Sequence, residues 1–194
     1  MANHLSGTTR LQVERWLKHY YFTRAAFSVV WVALAFAIGQ HATAIGAALL
    51  IVYPVWDALA NYVDMSRSGG IRENLPQALN VFASAVIAIA VIVVLSVNTS
   101  LVLDVFGVWA VLAGLLQLAT AVRRWKRFGA QWAMILSGGQ SALAGAFFIA
   151  QAHASVLPAI VKVAGCASVG AIYFLVSALW LSAGQRRRKF ASTH

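Results

Sequence analysis

Four ionisable side chains sit where long apolar runs leave little water: Arg24, Asp57, Asp104 and Lys162. A charge held in hydrocarbon is costly, so such groups pair, reach out to headgroups, or mark a polar pathway. Arg24 precedes His41 by almost the same interval as Asp57 follows it. If a tight turn at His41 joins two antiparallel helices rising ~1.5 Å per residue, the two groups lie at nearly one depth. The spacing predicts an Arg24–Asp57 ion pair. In the competing arrangement Arg24 snorkels to phosphate headgroups and Asp57 is satisfied by Asn61 or Tyr53. Pairing at matched depth offsets desolvation and favours a structural role over a proton relay.

Amides extend this pattern. Asn80 and Gln117 stand at nearly equal intervals before and after Asn98. They are the uncharged counterparts of Arg24 and Asp57, and with Gln140 they outline a polar layer of interhelical hydrogen bonds. Asp104 and Lys162 follow closely on their own turns, at Asn98 and His153, and would pair if their helices touch. His41 and His153 occupy equivalent turn positions. Imidazole gains charge on mild acidification, so with Asp104 and Lys162 they form a candidate pH-responsive set; the plainer reading is polar residues at a turn.

The elements that position these residues are six apolar runs, at 21–39, 42–63, 75–97, 101–122, 131–152 and 156–183. Each is close to the ~20 residues a helix needs to cross ~30 Å of hydrocarbon. The chain of 194 residues is 61% hydrophobic and only 10% charged, which is too little polar surface for a water-soluble globule. The expected fold is therefore an all-α membrane protein of six transmembrane helices. Residues 1–19 form an N-terminal segment, read either as an interfacial helix anchored by Trp16, Tyr20 and Tyr21 or as a frayed lead-in. Residues 20–184 form the membrane domain and 185–194 a basic tail.

Charge sets orientation. Fourteen of the fifteen Lys and Arg residues fall on one side of the spans, with Lys162 the exception. The positive-inside rule places that side, with both termini, in the cytoplasm. The clusters Arg123, Arg124, Lys126, Arg127 and Arg186, Arg187, Arg188, Lys189 are expected to face lipid and hold anionic inner-leaflet headgroups. They account for the net charge of +10 without nucleic acid as a partner.

The three turns on the other side are alike, His41-Ala42-Thr43, Asn98-Thr99-Ser100 and His153-Ala154-Ser155, and they recur at a nearly constant interval. A fixed period implies three repeated helical hairpins. Ser137, Ser141 and Gly145, beside Gly138 and Ala142, put small residues where helices can approach closely, within a bundle or in a homo-oligomer.

Val105-Phe106-Gly107-Val108-Trp109-Ala110-Val111-Leu112-Ala113-Gly114-Leu115-Leu116-Gln117, running on to Arg123-Arg124, and Ile135-Leu136-Ser137-Gly138-Gly139 carry a resemblance. Over roughly residues 20–185 the chain resembles the HdeD-like acid-resistance family of short-repeat membrane proteins. The first hairpin departs most, with Pro54-Val55-Trp56-Asp57 where the second has Gly114-Leu115-Leu116-Gln117. The resemblance implies a six-helix bacterial inner-membrane protein with an acid or envelope stress role in some members. It supplies no catalytic motif. The sequence has no Gly-rich phosphate loop, metal-ligand spacing or nucleophile–base pair, so no enzyme and no cofactor is expected. A small transporter or channel component using the intramembrane polar residues is the rival reading.

Overall fold

A computed structural model describes residues 2–126, 131–152 and 158–191, with side chains from 12–126, 131–152 and 158–185. Six long helices follow in order: α1 (Ala2–Leu34), α2 (Thr43–Arg67), α3 (Leu75–Val97), α4 (Val102–Arg124), α5 (Gln131–Gln151) and α6 (Ala159–Ala191). A π-helical turn, Ala35–Gly39, extends α1, and a 3-10 turn, Thr99–Leu101, opens α4. All six are long and apolar enough to cross a membrane, and there is no strand among the described residues. At most 39% of any span's most apolar stretch is buried inside the bundle. The rest, including Phe82, Ile89 and Leu143, is an apolar exterior that suits lipid. The chain is a multi-pass membrane protein.

Residues 2–19 form no helix of their own. They continue the first span as one uninterrupted helix, where the sequence left an interfacial helix and a frayed lead-in open. At the second turn Asn98 Oδ1 accepts from Ser100 N at 3.1 Å and from Ser100 Oγ at 2.7 Å, which makes the tripeptide a side-chain-closed turn. The third turn, with His153, lies outside the described residues, as does Arg127. Arg186, Arg187, Arg188 and Lys189 fall on α6, with side chains outside the description.

The chain runs out and back three times, but the widest interfaces lie elsewhere. They join α4 to α5, α1 to α6 and α2 to α3. With α3–α4 and α5–α6 these close most of a ring, and α1 meets α2 chiefly through the π-helical turn. Glycine explains the α4–α5 seam. A Cβ at Gly114 would stand 2.6 Å from Gly138 O, and one at Gly107 would stand 2.8 Å from Gly145 O. Backbone lies on backbone at both levels, which only a hydrogen side chain allows.

Two apolar clusters fill the ring. Trp31, Val91, Phe106, Trp109, Phe148 and Ile160 occupy the half nearer the three short turns. Leu17, Tyr21, Ala25, Met134, Phe174 and Ala178 join α1 to α6 and to the basic ends of α4 and α5. The remaining volume of the basic half is polar.

Gly114→Ala should lower stability by about 1–3 kcal/mol, as overpacking of a closed core does. Gly139→Ala, whose added carbon meets nothing within 4 Å, should be neutral or slightly stabilising. Thermal unfolding of the two purified variants in detergent checks this contrast.

Candidate functional site: a buried carboxylate layer and its cavity

The polar region is organised by α2. Asp57, Asn61 and Asp64 repeat at i, i+4 and i+7, which puts all three on one face of the helix. That face is turned inward, and all three are buried.

Asp57 is the hub. Arg24 Nη2 donates to Asp57 Oδ1. The other oxygen, Oδ2, accepts from Asn61 Nδ2 at 3.1 Å, Asn80 Nδ2 at 3.1 Å and Ser84 Oγ at 2.9 Å. Trp109 Nε1 then donates to Ser84 Oγ at 3.0 Å, so a carboxylate on α2 is tied to α1, α3 and, through Ser84, α4. Arg24 is held in turn. Its Nη1 donates to Tyr20 OH at 3.1 Å, and its guanidinium carbon lies 4.5 Å from the centre of the Phe174 ring. Ring contact of this kind compensates part of the cation's lost hydration. The two arrangements weighed for Asp57 are not exclusive, since Arg24 and Asn61 both bind it.

A second pair lies about two turns nearer the basic end. Arg124 Nη1 is 3.0 Å from Asp64 Oδ2. Ser68 Oγ donates to Asp64 Oδ1 at 3.3 Å and accepts from Arg124 Nη2 at 3.2 Å. This corrects one expectation. Arg124, assigned with its neighbours to a lipid-facing cluster, points into the bundle because an inward Asp64 lies across from it. Arg123 also has a protein partner, donating to the Glu73 carbonyl, while Lys126 is exposed.

The other expected residues are dispersed. Asn80 and Gln117 do not act as the second hairpin's private pair: Asn80 joins Asp57, and Gln117 Nε2 donates to Met134 O at 3.2 Å. Gln140 Nε2 contacts Cys166 Sγ at 3.6 Å. Lys162 Nζ donates to Gln151 Oε1 at 3.2 Å. Asp104 is half-buried in the first turn of α4, and His41 is exposed at the first turn.

Two small chambers meet at the Arg24–Asp57 pair. The lower, about 60 Å³, lies between Asp57 and Asp64 and is bounded by Gln77, Asn80, Gln117 and Thr120. The upper, about 80 Å³, reaches Tyr53, Trp109, Ser137, Ser141 and Cys166. Arg24, Asp57 and Gln117 are walls of both. Towards the basic end the lower chamber shares Gln77, Thr120 and Arg124 with a vestibule of about 730 Å³ that also carries Arg67 and Glu73. Towards the short turns the apolar cluster of Trp31, Phe106 and Phe148 fills the bundle.

The amides lining the lower chamber have a defined orientation. Gln77 Nε2 faces Asp64 Oδ2 and Asn74 Oδ1, both at 3.4 Å, and Asn80 Nδ2 faces Asp57. Their carbonyl oxygens, Gln77 Oε1 and Asn80 Oδ1, are buried with no hydrogen-bond partner among the described residues. A buried acceptor without a donor costs about 1–3 kcal/mol, which sets these two oxygens apart from the bonded nitrogens of the same amides. A volume of 60 Å³ accommodates about two water molecules at ~30 Å³ each. It is well below the ~300 Å³ at which pockets for organic ligands begin. Among the described residues no group of His, Cys, Asp and Glu could hold a metal ion.

Fold and site together define an α-helical multi-pass membrane protein with a charge-neutral polar layer beside a small inward cavity. A family model described as a short repeat of unknown function (DUF308) matches residues 82–150, just over a third of the chain. The match spans most of α3 and all of the glycine-seamed α4–α5 pair, with Ser84, Trp109 and Gln117, but not Arg24, Asp57 or Asp64. No curated protein and no solved structure matches the chain.

Sequence spacing located Arg24 and Asp57 but missed Asp64–Arg124, Ser84 and Trp109. The Asp57-Asn61-Asp64 repeat was the available signal, since three polar residues on one face of an apolar helix require an inward partner surface.

Asp57→Asn leaves Arg24 without its counter-charge and should cost about 3–5 kcal/mol. Ser84→Ala removes a donor to Asp57 and leaves Trp109 Nε1 without its acceptor, and should cost about 2 kcal/mol. Equilibrium unfolding of the two variants gives the order; an Asp57→Asn protein as stable as the wild type would remove the structural role of the pair.

Proposed function

We propose that this chain is a non-enzymatic, HdeD-like membrane protein of the bacterial inner membrane, with both termini cytoplasmic and a role in acid or envelope stress. The observation that carries the reading is the division of the bundle. A polar cavity opens towards the basic end, and a packed aromatic core closes the other half. A cavity that admits only water or a small ion, beside two neutral Arg–Asp pairs, fits a stable envelope component better than a site for chemistry on an organic substrate. The repeat match over residues 82–150 supports the family, since HdeD-like proteins carry that repeat. The basic clusters support contact with anionic inner-leaflet lipid, and the small-residue faces are compatible with a homo-oligomer.

A second reading, a small transporter or channel component, is favoured by one feature. The polar layer borders the cavity instead of being packed dry between helices. In the conformation described the aromatic core would block passage, so transport would require that core to open.

Cys166, the single cysteine, lines the upper chamber and is a native probe. Silver ion, small enough for a water path, should modify Cys166 when applied to the cytoplasmic face of inverted membrane vesicles and leave it unmodified when applied to the opposite face. Equal modification from both faces would favour the transport reading. Deletion of the gene should lower survival at low pH, and unchanged survival would remove the acid-stress role.

A further inference from the structure

The seam between α1 and α2 is the loosest in the ring although a very short turn joins the two helices. They meet at the turn end, where a Cβ at Gly46 would stand 2.6 Å from Gly39 O, and again where Phe27 stacks on Trp56 at 4.3 Å. Beyond the Arg24–Asp57 pair the backbones part, until Arg67 of α2 reaches back over Trp16 of α1. α1 buries Leu17, Tyr21 and Ala25 in the cluster it shares with α6 and leaves α2 alongside an open groove.

This groove has a volume of about 260 Å³ and lies on the outer, lipid-contacting surface. Its walls are Trp16, Tyr20 and Thr23 on α1 and Trp56, Leu59 and Val63 on α2, with Arg24 at its inner end. From Arg24 to Trp16 the helix rises about 12 Å. A groove of this length and volume suits a slender hydrocarbon chain better than an α-helix ~10–12 Å across.

The mouth at the basic end is polar in a particular way. Arg67 lies over the Trp16 ring with its guanidinium carbon 5.0 Å from the ring centre. His19 is exposed on the same edge, with its Nδ1 turned to Arg15 O at 2.7 Å. An occupant that satisfies every part combines a hydrocarbon chain, an ester or phosphate oxygen and a negative charge.

We infer that the α1–α2 groove is a binding site for one anionic phospholipid, its acyl chain between Trp56 and Val63 and its head group at Trp16, His19 and Arg67. The site is independent of which side of the membrane the basic end faces and of any stress role. It makes the lipid a wedge that completes the ring at the seam where the protein's own packing is thinnest.

The test is native mass spectrometry of the purified full chain with added palmitoyl-oleoyl phosphatidylglycerol or the phosphatidylcholine of the same chains. The wild type should hold one phosphatidylglycerol, bound about fivefold more tightly than phosphatidylcholine, as one guanidinium near the phosphate would give. Thr23→Trp, an exposed position on the wall, should fill the groove and abolish the adduct, and Leu59→Trp should do the same from the other wall. Arg67→Gln should keep a lipid but lose most of the preference for the anionic head group. Three results would overturn the site: equal binding of the two lipids by the wild type, an adduct that survives in a Trp variant melting like the wild type, or a wild-type dimer that either Trp variant splits, which would make the groove a protein interface.

Discussion

A carboxylate buried at Asp57 sets the terms for the basic half of this bundle. An ionised group in hydrocarbon cannot be left to solvent, and the protein answers with donors from three elements: Arg24 on α1, Asn61 on α2 itself, and Asn80 and Ser84 on α3. Each donor fixes the rotation and height of its helix relative to α2. Apolar packing between lipid-immersed helices is weakly directional, because lipid tails are as apolar as the side chains they replace. A hydrogen-bonded hub therefore supplies register that hydrophobic contact alone would not.

The two halves of the bundle use different means. Near the short turns, aromatic and aliphatic side chains dominate the packing, and Trp109 links that region to the hub through Ser84. In the basic half Asp57 and Asp64 both form inward ion pairs. Each pair is neutral, so the layer adds no net charge to the membrane interior despite the chain's excess of +10. Between the pairs, oriented amides present oxygen to a small space. Leu116, Gln117 and Thr120 of α4 provide the opposite wall.

The sequence made the axial dimension of this fold legible and left much of the lateral one hidden. Apolar runs long enough to cross a bilayer mark the spans, and a short turn at His41 converts position along the chain into depth, which is why Arg24 and Asp57 could be matched. Depth says nothing about which neighbour lies across an interface. Asn80 has the depth of both Asp57 and Gln117, and only the close α2–α3 packing decides for Asp57. Arg124 belongs by sequence to a basic run at a helix end, and its inward turn depends on Asp64 from another hairpin. The long coaxial start of α1 was obscured because its residues are too polar to read as part of a span.

The account depends on Arg24 and Asp57 acting as one unit, and a double-mutant cycle measures that directly. Arg24→Leu, Asp57→Leu and the double variant would be compared with the wild type by equilibrium unfolding in detergent. Coupled groups give single variants that are each strongly destabilised and a double variant that recovers much of the loss, with an interaction energy of about 2–3 kcal/mol. Effects that add to within about 0.5 kcal/mol would contradict the pair as the organising contact of the bundle.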